Sequence, residues 1–112
     1  MSRIPPPVLG EFEQIVMLAL LRLGSEAYGA AVCAEIEKRS GRGVSVSAVH
    51  TTLDRLEQKG LVASRMDQAA PERGGHPRRF FKATALGLKR VRHAVAMLDK
   101  MRAGLEPVLE QP

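Results

Sequence analysis

At 112 residues the chain has room for one hydrophobic core and little more. Its 45% hydrophobic and 26% charged content excludes a membrane-embedded protein and an intrinsically disordered one alike. The net charge of +5 is polarised: residues 38–92 carry 13 of the 17 Lys and Arg but 4 of the 12 acids, so that segment is +9 and the remainder −4, which favours one basic face turned to an anionic partner.

Residues 1–8, with Pro5, Pro6 and Pro7, read as an extended arm. Prolines followed by Glu11 and Glu13 are unlike an export signal, and the apolar run from Ile15 to Leu21 is too short to span a bilayer. A cytoplasmic protein without membrane contact is expected. A first helix is predicted over Leu9–Leu23, because Phe12, Ile15, Val16, Ala19, Leu20 and Leu23 recur at helical spacing. Met17, Leu18 and Leu21 give it a second apolar side, and Gly24 ends it.

A second helix is predicted over Tyr28–Arg39, with Ala31, Val32, Glu35 and Ile36 on its buried edge. Lys38 and Arg39 in its last turn complement the negative end of the helix dipole. Cys33, the single cysteine, excludes an internal disulfide and a cysteine-rich zinc site. Among Ala30, Ala31, Val32 and Ala34 it reads as a buried apolar residue.

Beyond Gly41 and Gly43, Ser45 is a good N-cap for a third helix that stops at Gly60. Val49, Leu53 and Leu56 line its buried face, extended by Val46. The opposite face carries Ser47, Ala48, His50, Thr51, Asp54, Arg55 and Gln58. A strand over Leu61–Met66, a loop over Asp67–Pro77 and a return strand over Arg78–Thr84 make a hairpin. Thr84 caps a last helix running from Ala85 to about Ala103, ended by Pro107. Leu88, Val91, Val95, Leu98, Arg102 and Leu105 follow the spacing of a helix-pairing seam. With Met101, its apolar members form the expected dimer interface, and Arg102 is the polar intruder.

The order helix, helix, helix, strand, strand, helix predicts a mainly α (α+β) winged helix-turn-helix. The arm occupies 1–8, the winged domain 9–84, and a C-terminal dimerisation helix and tail 85–112. A helix enters the major groove only if its N-terminal half presents small polar side chains; Ser47, Ala48, His50 and Thr51 after Ser45 have those sizes, and Arg55 has the reach for a phosphate or a guanine edge. Around the glycine pair of the hairpin, Arg65, Arg73, His76, Arg78 and Arg79 form a basic cluster suited to the DNA backbone or minor groove, with Tyr28 a further phosphate contact. Taken alone, each feature also fits an ordinary solvated surface. Four aromatics in the whole chain give no platform for stacking single-stranded bases.

Tyr28-Gly29, the run Leu53-Asp54-Arg55-Leu56-Glu57-Gln58-Lys59-Gly60-Leu61-Val62, and Pro77-Arg78-Arg79-Phe80-Phe81-Lys82-Ala83-Thr84 with Gly87 together resemble the PadR-type winged-helix transcriptional regulators. The resemblance spans about Leu9 to Leu98. It implies a homodimeric repressor on double-stranded DNA, paired through a C-terminal helix and, in some members, released by a small molecule. Where that family usually has Gly-Thr-Leu-Tyr-Pro, this chain has Ser47-Ala48-Val49-His50-Thr51, so base contacts do not carry over. The short C-terminal region leaves a small effector pocket or none, and no cofactor is expected.

His50, His76 and His93 fall on three separate elements without metal-ligand spacing, and no nucleophile elbow, carboxylate pair, phosphate loop or HExxH motif occurs. Neither a metal sensor nor an enzyme is expected. The alternative to a DNA-binding regulator is a winged-helix protein-interaction module, served by the second apolar side of the first helix and the C-terminal seam.

Overall fold

Apolar residues at helical spacing bury themselves only if a second such stripe faces them, and the first three helices supply three. In the computed structural model, which describes residues 8–68 and 74–111, α1 spans Glu11–Leu23, α2 Gly29–Ser40 and α3 Val46–Gln58. Met17 and Val16 of α1, Val32 of α2, and Val49, Leu53 and Leu56 of α3 are fully buried against one another. Each such side chain contributes roughly 1.5–3 kcal/mol relative to exposure.

The helix ends follow local chemistry. α1 begins two residues later than the sequence suggests because Gly10 caps it: the Gly10 N–H donates to Glu13 Oε1 at 2.9 Å. Leu9 is buried just outside the helix. A 3-10 turn, Gly24–Glu26, separates α1 from α2. Tyr28 is the N-cap of α2, and Cys33 is buried in it, its Sγ 3.1 Å from the Val44 carbonyl. Ser45 caps α3 as expected, accepting the Ala48 N–H at 3.0 Å. Val46, expected on the buried face, is exposed along with Ser45, Ser47 and Ala48, so the first turn of α3 protrudes beyond the core.

Strand β1, Val62–Asp67, pairs antiparallel with β2, Arg78–Ala83, in a register from Val62↔Ala83 to Asp67↔Arg78. β1 is shifted one residue onward from the expected Leu61–Met66, taking in Asp67, and β2 ends one residue before the expected Thr84, since Leu61 and Thr84 serve the neighbouring helices. The Leu61 N–H donates to the Leu56 carbonyl, and Thr84 caps the helix that follows. The segment before α2 also joins the sheet. Tyr28 bridges Phe80, and the Phe81 N–H donates to the Ala27 carbonyl at 2.8 Å.

Helix α4 spans Ala85–Arg102, and Thr84 fixes its start at both ends of one hydroxyl. Thr84 Oγ1 accepts the Gly87 N–H at 3.0 Å and donates to the Gly60 carbonyl at 2.8 Å. A Cβ on Gly87 would lie 2.9 Å from the Leu61 carbonyl carbon, so only glycine lets α4 cross the chain there.

Two expectations about α4 are corrected. Val91, assigned to the dimer seam, is 4% exposed and belongs to this chain's own core, because the first half of α4 packs on α1. The helix ends at Arg102, close to the expected Ala103, but Pro107 is not what ends it: Ala103 already leaves the helical conformation at ψ 127°, and Gly104 follows at φ +85°. That conformation costs glycine little and other residues more. Pro107 instead lies in the first turn of a short helix α5, Glu106–Leu109, where its missing N–H is tolerated. Leu105 is thereby outside α4, and the seam stops a turn early.

The N-terminal arm lies outside the described residues except for Val8, which is exposed. Among the described residues, no helix is long and apolar enough to cross a membrane, and no cluster of three or more His, Cys, Asp or Glu is placed to hold a metal ion.

Candidate nucleic-acid interface

The protruding start of α3 presents Ser47, Ala48 and Thr51, with Asp54, Arg55 and Gln58 following along the same exposed side. Small side chains there let a helix approach the floor of a groove. Two residues of the expected set behave differently. The Ser45 hydroxyl is committed to its cap. His50 turns inward and is half-buried, its ring edge-on to Phe81 with centroids 6.3 Å apart and pressed against Gly29.

Beside α3, the hairpin holds its arginines on aromatic rings. Arg65 lies over the Phe80 ring at 4.8 Å, Phe80 meets Tyr28 edge-to-face at 5.7 Å, and Arg78 lies over the Tyr28 ring at 4.0 Å. The ladder Arg65–Phe80–Tyr28–Arg78 crosses the sheet to the start of α2. Each cation–ring contact is worth about 0.5–1 kcal/mol at an exposed site. The larger consequence is that two long side chains are held in place before any anion arrives. Tyr28 is therefore a support for Arg78 as well as the N-cap of α2. Arg65 is exposed and 3.6 Å from Asp67. His76 is exposed beside the turn formed by Gly74 and Gly75, whereas Arg73 lies outside the described residues.

Arg79 is placed otherwise. Its Nη1 donates to Asp54 Oδ1 at 2.9 Å, its Nη2 to Glu57 Oε1, and its Nε to Ser64 Oγ at 3.2 Å, while the guanidinium stacks over Phe81 at 4.7 Å. Ser64 in turn donates to Glu57 Oε2 at 2.7 Å. The Ser64 hydroxyl, and against the opposing effect of desolvation the Arg79 guanidinium, hold the Glu57 carboxyl below its ordinary range. Desolvation acts against the charge on Arg79, but Asp54 and Glu57 outweigh it and the guanidinium is held protonated still more firmly.

Asp54 is on the exposed face expected of α3, but neither it nor Glu57 nor Ser64 is among the residues expected to act at this surface. The signal for them was present, since Asp54 and Glu57 are two of only four acids in the basic segment. The hydrogen bonds also join the two halves of the pattern that carried the resemblance: Asp54 and Glu57 come from the α3 run, and Arg79 from the pair before the aromatics.

At the far end, every described residue from Val95 onward is exposed, including Val95, Leu98, Met101 and Leu105 of the expected dimer interface. Leu88 is half-buried. Arg102, the polar intruder, pairs with Asp99 one turn back.

A family model described as the transcriptional regulator PadR-like family matches residues 17–93. Among solved structures, a PadR family transcriptional regulator from Eggerthella lenta is 30% identical, with a TM-score of 0.67 over 91% of this chain and 88% of that one. A PadR-like transcriptional regulator from Bacillus cereus has a TM-score of 0.71 at 15% identity, over 90% and 93% of the two chains. Bordetella bronchiseptica BpsR, solved for the regulation of its DNA binding by 6-hydroxynicotinic acid, has a TM-score of 0.67 at 20% identity, over 94% and 74%. At those two identities the likeness is one of fold. No curated protein sequence matches the chain.

Proposed function

The chain belongs to the PadR-like family of transcriptional regulators, and from that premise we propose that it represses transcription as a homodimer bound to a pseudo-palindromic site on double-stranded DNA. That it is a winged-helix DNA-binding regulator follows from the family. The repressor role, the dimer and the contacts are the proposal.

One observation carries it: an exposed helix start with small side chains at Ser47, Ala48 and Thr51 stands beside arginines already braced on rings. In this reading α3 enters the major groove with Ser47, Ala48 and Thr51 at the base edges and Arg55 within reach of a phosphate or a guanine. Arg65, Arg78 and His76 hold the backbone and fix the register of the helix in the groove. The role expected of Arg73 is the same, by its place in the hairpin sequence. His50 supports α3 from behind and does not read bases.

The dimer reading rests on α4. Val95, Leu98 and Met101 are exposed on successive turns, Met101 at 72%. An apolar stripe of this kind on the projecting half of a helix is covered most simply by the same stripe of a second copy, related by a two-fold axis that also spaces the two α3 helices. Selection of bound sequences from a random duplex pool tests the function: enrichment of a two-fold-symmetric site supports it. Binding with no enriched sequence overturns it in favour of a surface that serves a protein partner.

A further inference from the structure

Two adjacent arginines of the hairpin, Arg78 and Arg79, have unlike surroundings. The Arg78 guanidinium is backed by the Tyr28 ring at 4.0 Å. The Arg79 guanidinium gives a bond from each of its three nitrogens, to Asp54, Glu57 and Ser64, and one of its faces to Phe81. An incoming phosphate would meet the Asp54 carboxylate, 53% exposed, on the same guanidinium. Competition from two carboxylates already in place makes Arg79 a poor phosphate ligand, although its position in the sequence suggests one.

We propose that Arg79 is a positioning residue which, through Asp54, Glu57 and Ser64, locks the wing to the recognition helix so that the base-reading face and the phosphate-holding arginines keep one fixed spacing. The tie spans three elements, with Asp54 and Glu57 on α3, Ser64 on β1 and Arg79 on β2. Elsewhere the hairpin is joined to α3 at its base, through the Leu61 N–H to the Leu56 carbonyl and Thr84 to the Gly60 carbonyl. His50 of α3 also meets Phe81 of β2. The Arg79 cluster adds an ionic tie higher on the hairpin, from Ser64 and Arg79 to the last turns of α3, and so further restricts the orientation of the wing. The planar fork of arginine suits this, since it reaches two carboxylates and a hydroxyl at once, and a lysine ammonium on the same stem lacks that geometry.

This role rests on the reading of α3 and the wing as the DNA surface, and it separates two quantities. Attachment to any duplex depends on charge, whereas discrimination depends on the spacing between α3 and the wing. The experiment measures affinity for a duplex selected from a random pool by the wild type and for a mixed-sequence duplex, in wild type, Arg79→Lys, Glu57→Gln and the double variant. Arg79→Lys keeps the charge and Glu57→Gln removes one negative charge, so both are expected to hold the mixed duplex at least as well as wild type.

Both variants are expected to lose about tenfold in the ratio of selected to mixed affinity, and the double variant no more than the worse single one, because all three remove the same tie. Ser64→Ala, a smaller change to the same cluster, should lower the ratio in the same direction. If Arg79 were a phosphate ligand, Arg79→Lys would keep the ratio and Glu57→Gln would tighten both duplexes equally; either result overturns the positioning role. Losses that multiply in the double variant overturn it as well. A wild type that enriches no sequence overturns the regulator reading and this role together, whereas enrichment by a wild type that Arg79→Lys matches overturns this role alone.

Discussion

The imidazole of His50 fills the space into which a side chain at position 29 would project. A Cβ on Gly29 would lie 2.6 Å from His50 Cε1 and 3.0 Å from Cδ2, and His50 Nε2 is nearer still. The first residue of α2 and the middle of α3 thus touch through a glycine and a ring, with Phe81 behind the ring.

Gly29→Ala forces that ring toward Phe81 and is expected to cost about 1–3 kcal/mol, the range for overfilling a packed site. Urea denaturation of Gly29→Ala, His50→Ala and the double variant measures it. Relief in the double variant, where the added methyl enters the space the ring has left, is the expected outcome. Additive losses would show that the two residues do not compete for one volume.

Thr84 joins the end of α3 to the start of α4 through one hydroxyl, which donates to the Gly60 carbonyl and accepts the Gly87 N–H. Thr84→Val keeps the shape and removes both bonds, with an expected loss of about 1–2 kcal/mol. Gly87→Ala should be worse, because the added methyl meets the Leu61 backbone and not a movable side chain. The midpoint of thermal unfolding orders the two, and a Gly87→Ala protein as stable as wild type would contradict the close crossing.

Acid should weaken the fold through two carboxylates. Burial opposes ionisation of Glu13, but the Lys59 ammonium and the Gly10 N–H outweigh it, so this carboxyl sits below its ordinary value of 4.5, as does that of Glu57 beside Ser64 and Arg79. A carboxyl lowered in the folded state binds its proton more readily when unfolded. Its contribution is therefore complete above pH 4.5 and disappears as pH falls through the folded value. Stability should be flat in this respect near neutrality and drop below about pH 4.5. The urea midpoint of Glu57→Gln should vary less between pH 5 and 3 than that of wild type, and an unchanged acid limb would refute the assignment.

Binding to duplex DNA should fall steeply with salt, the logarithm of the affinity declining by about 0.9 per neutralised phosphate for each unit in the logarithm of salt. Arg78→Ala and Arg65→Ala should each reduce that slope by about one contact and weaken all sequences alike. Thr51→Ala should change which sequences are preferred and leave the slope in place. Reversed behaviour of the two groups would reassign reading to the wing and attachment to the helix.

A charge at the centre of the α4 stripe should separate the proposed dimer. Leu98 is exposed in the single chain, so Leu98→Glu leaves the fold intact while placing two carboxylates opposite each other across a two-fold axis. Sedimentation should show monomers for the variant and dimers for wild type. A variant that still sediments as a dimer would exclude this surface.

Much of the fold was legible because its causes are local. The helical spacing of Val49, Leu53 and Leu56, the hydroxyls of Ser45 and Thr84 at helix starts, and the glycines between elements each act within a few residues, and all are borne out. The end of α4 near Ala103 was legible as well, but its cause is not Pro107, which lies beyond it in α5.

What the sequence by itself determined was the set of elements, their order, and the gathering of positive charge into residues 38–92. Only the tertiary structure decided what each side chain does there. Helical periodicity gives the angle at which a residue leaves its helix but not what stands opposite, so His50 reads as surface until Gly29 and Phe81 close over it, and Val91 reads as seam until α1 covers it. The arginines show this most sharply. Arg78 and Arg79 are neighbours in a strand, where successive side chains point to opposite faces. One therefore meets Tyr28, and the other meets two carboxylates that lie 25 and 22 residues away in the chain.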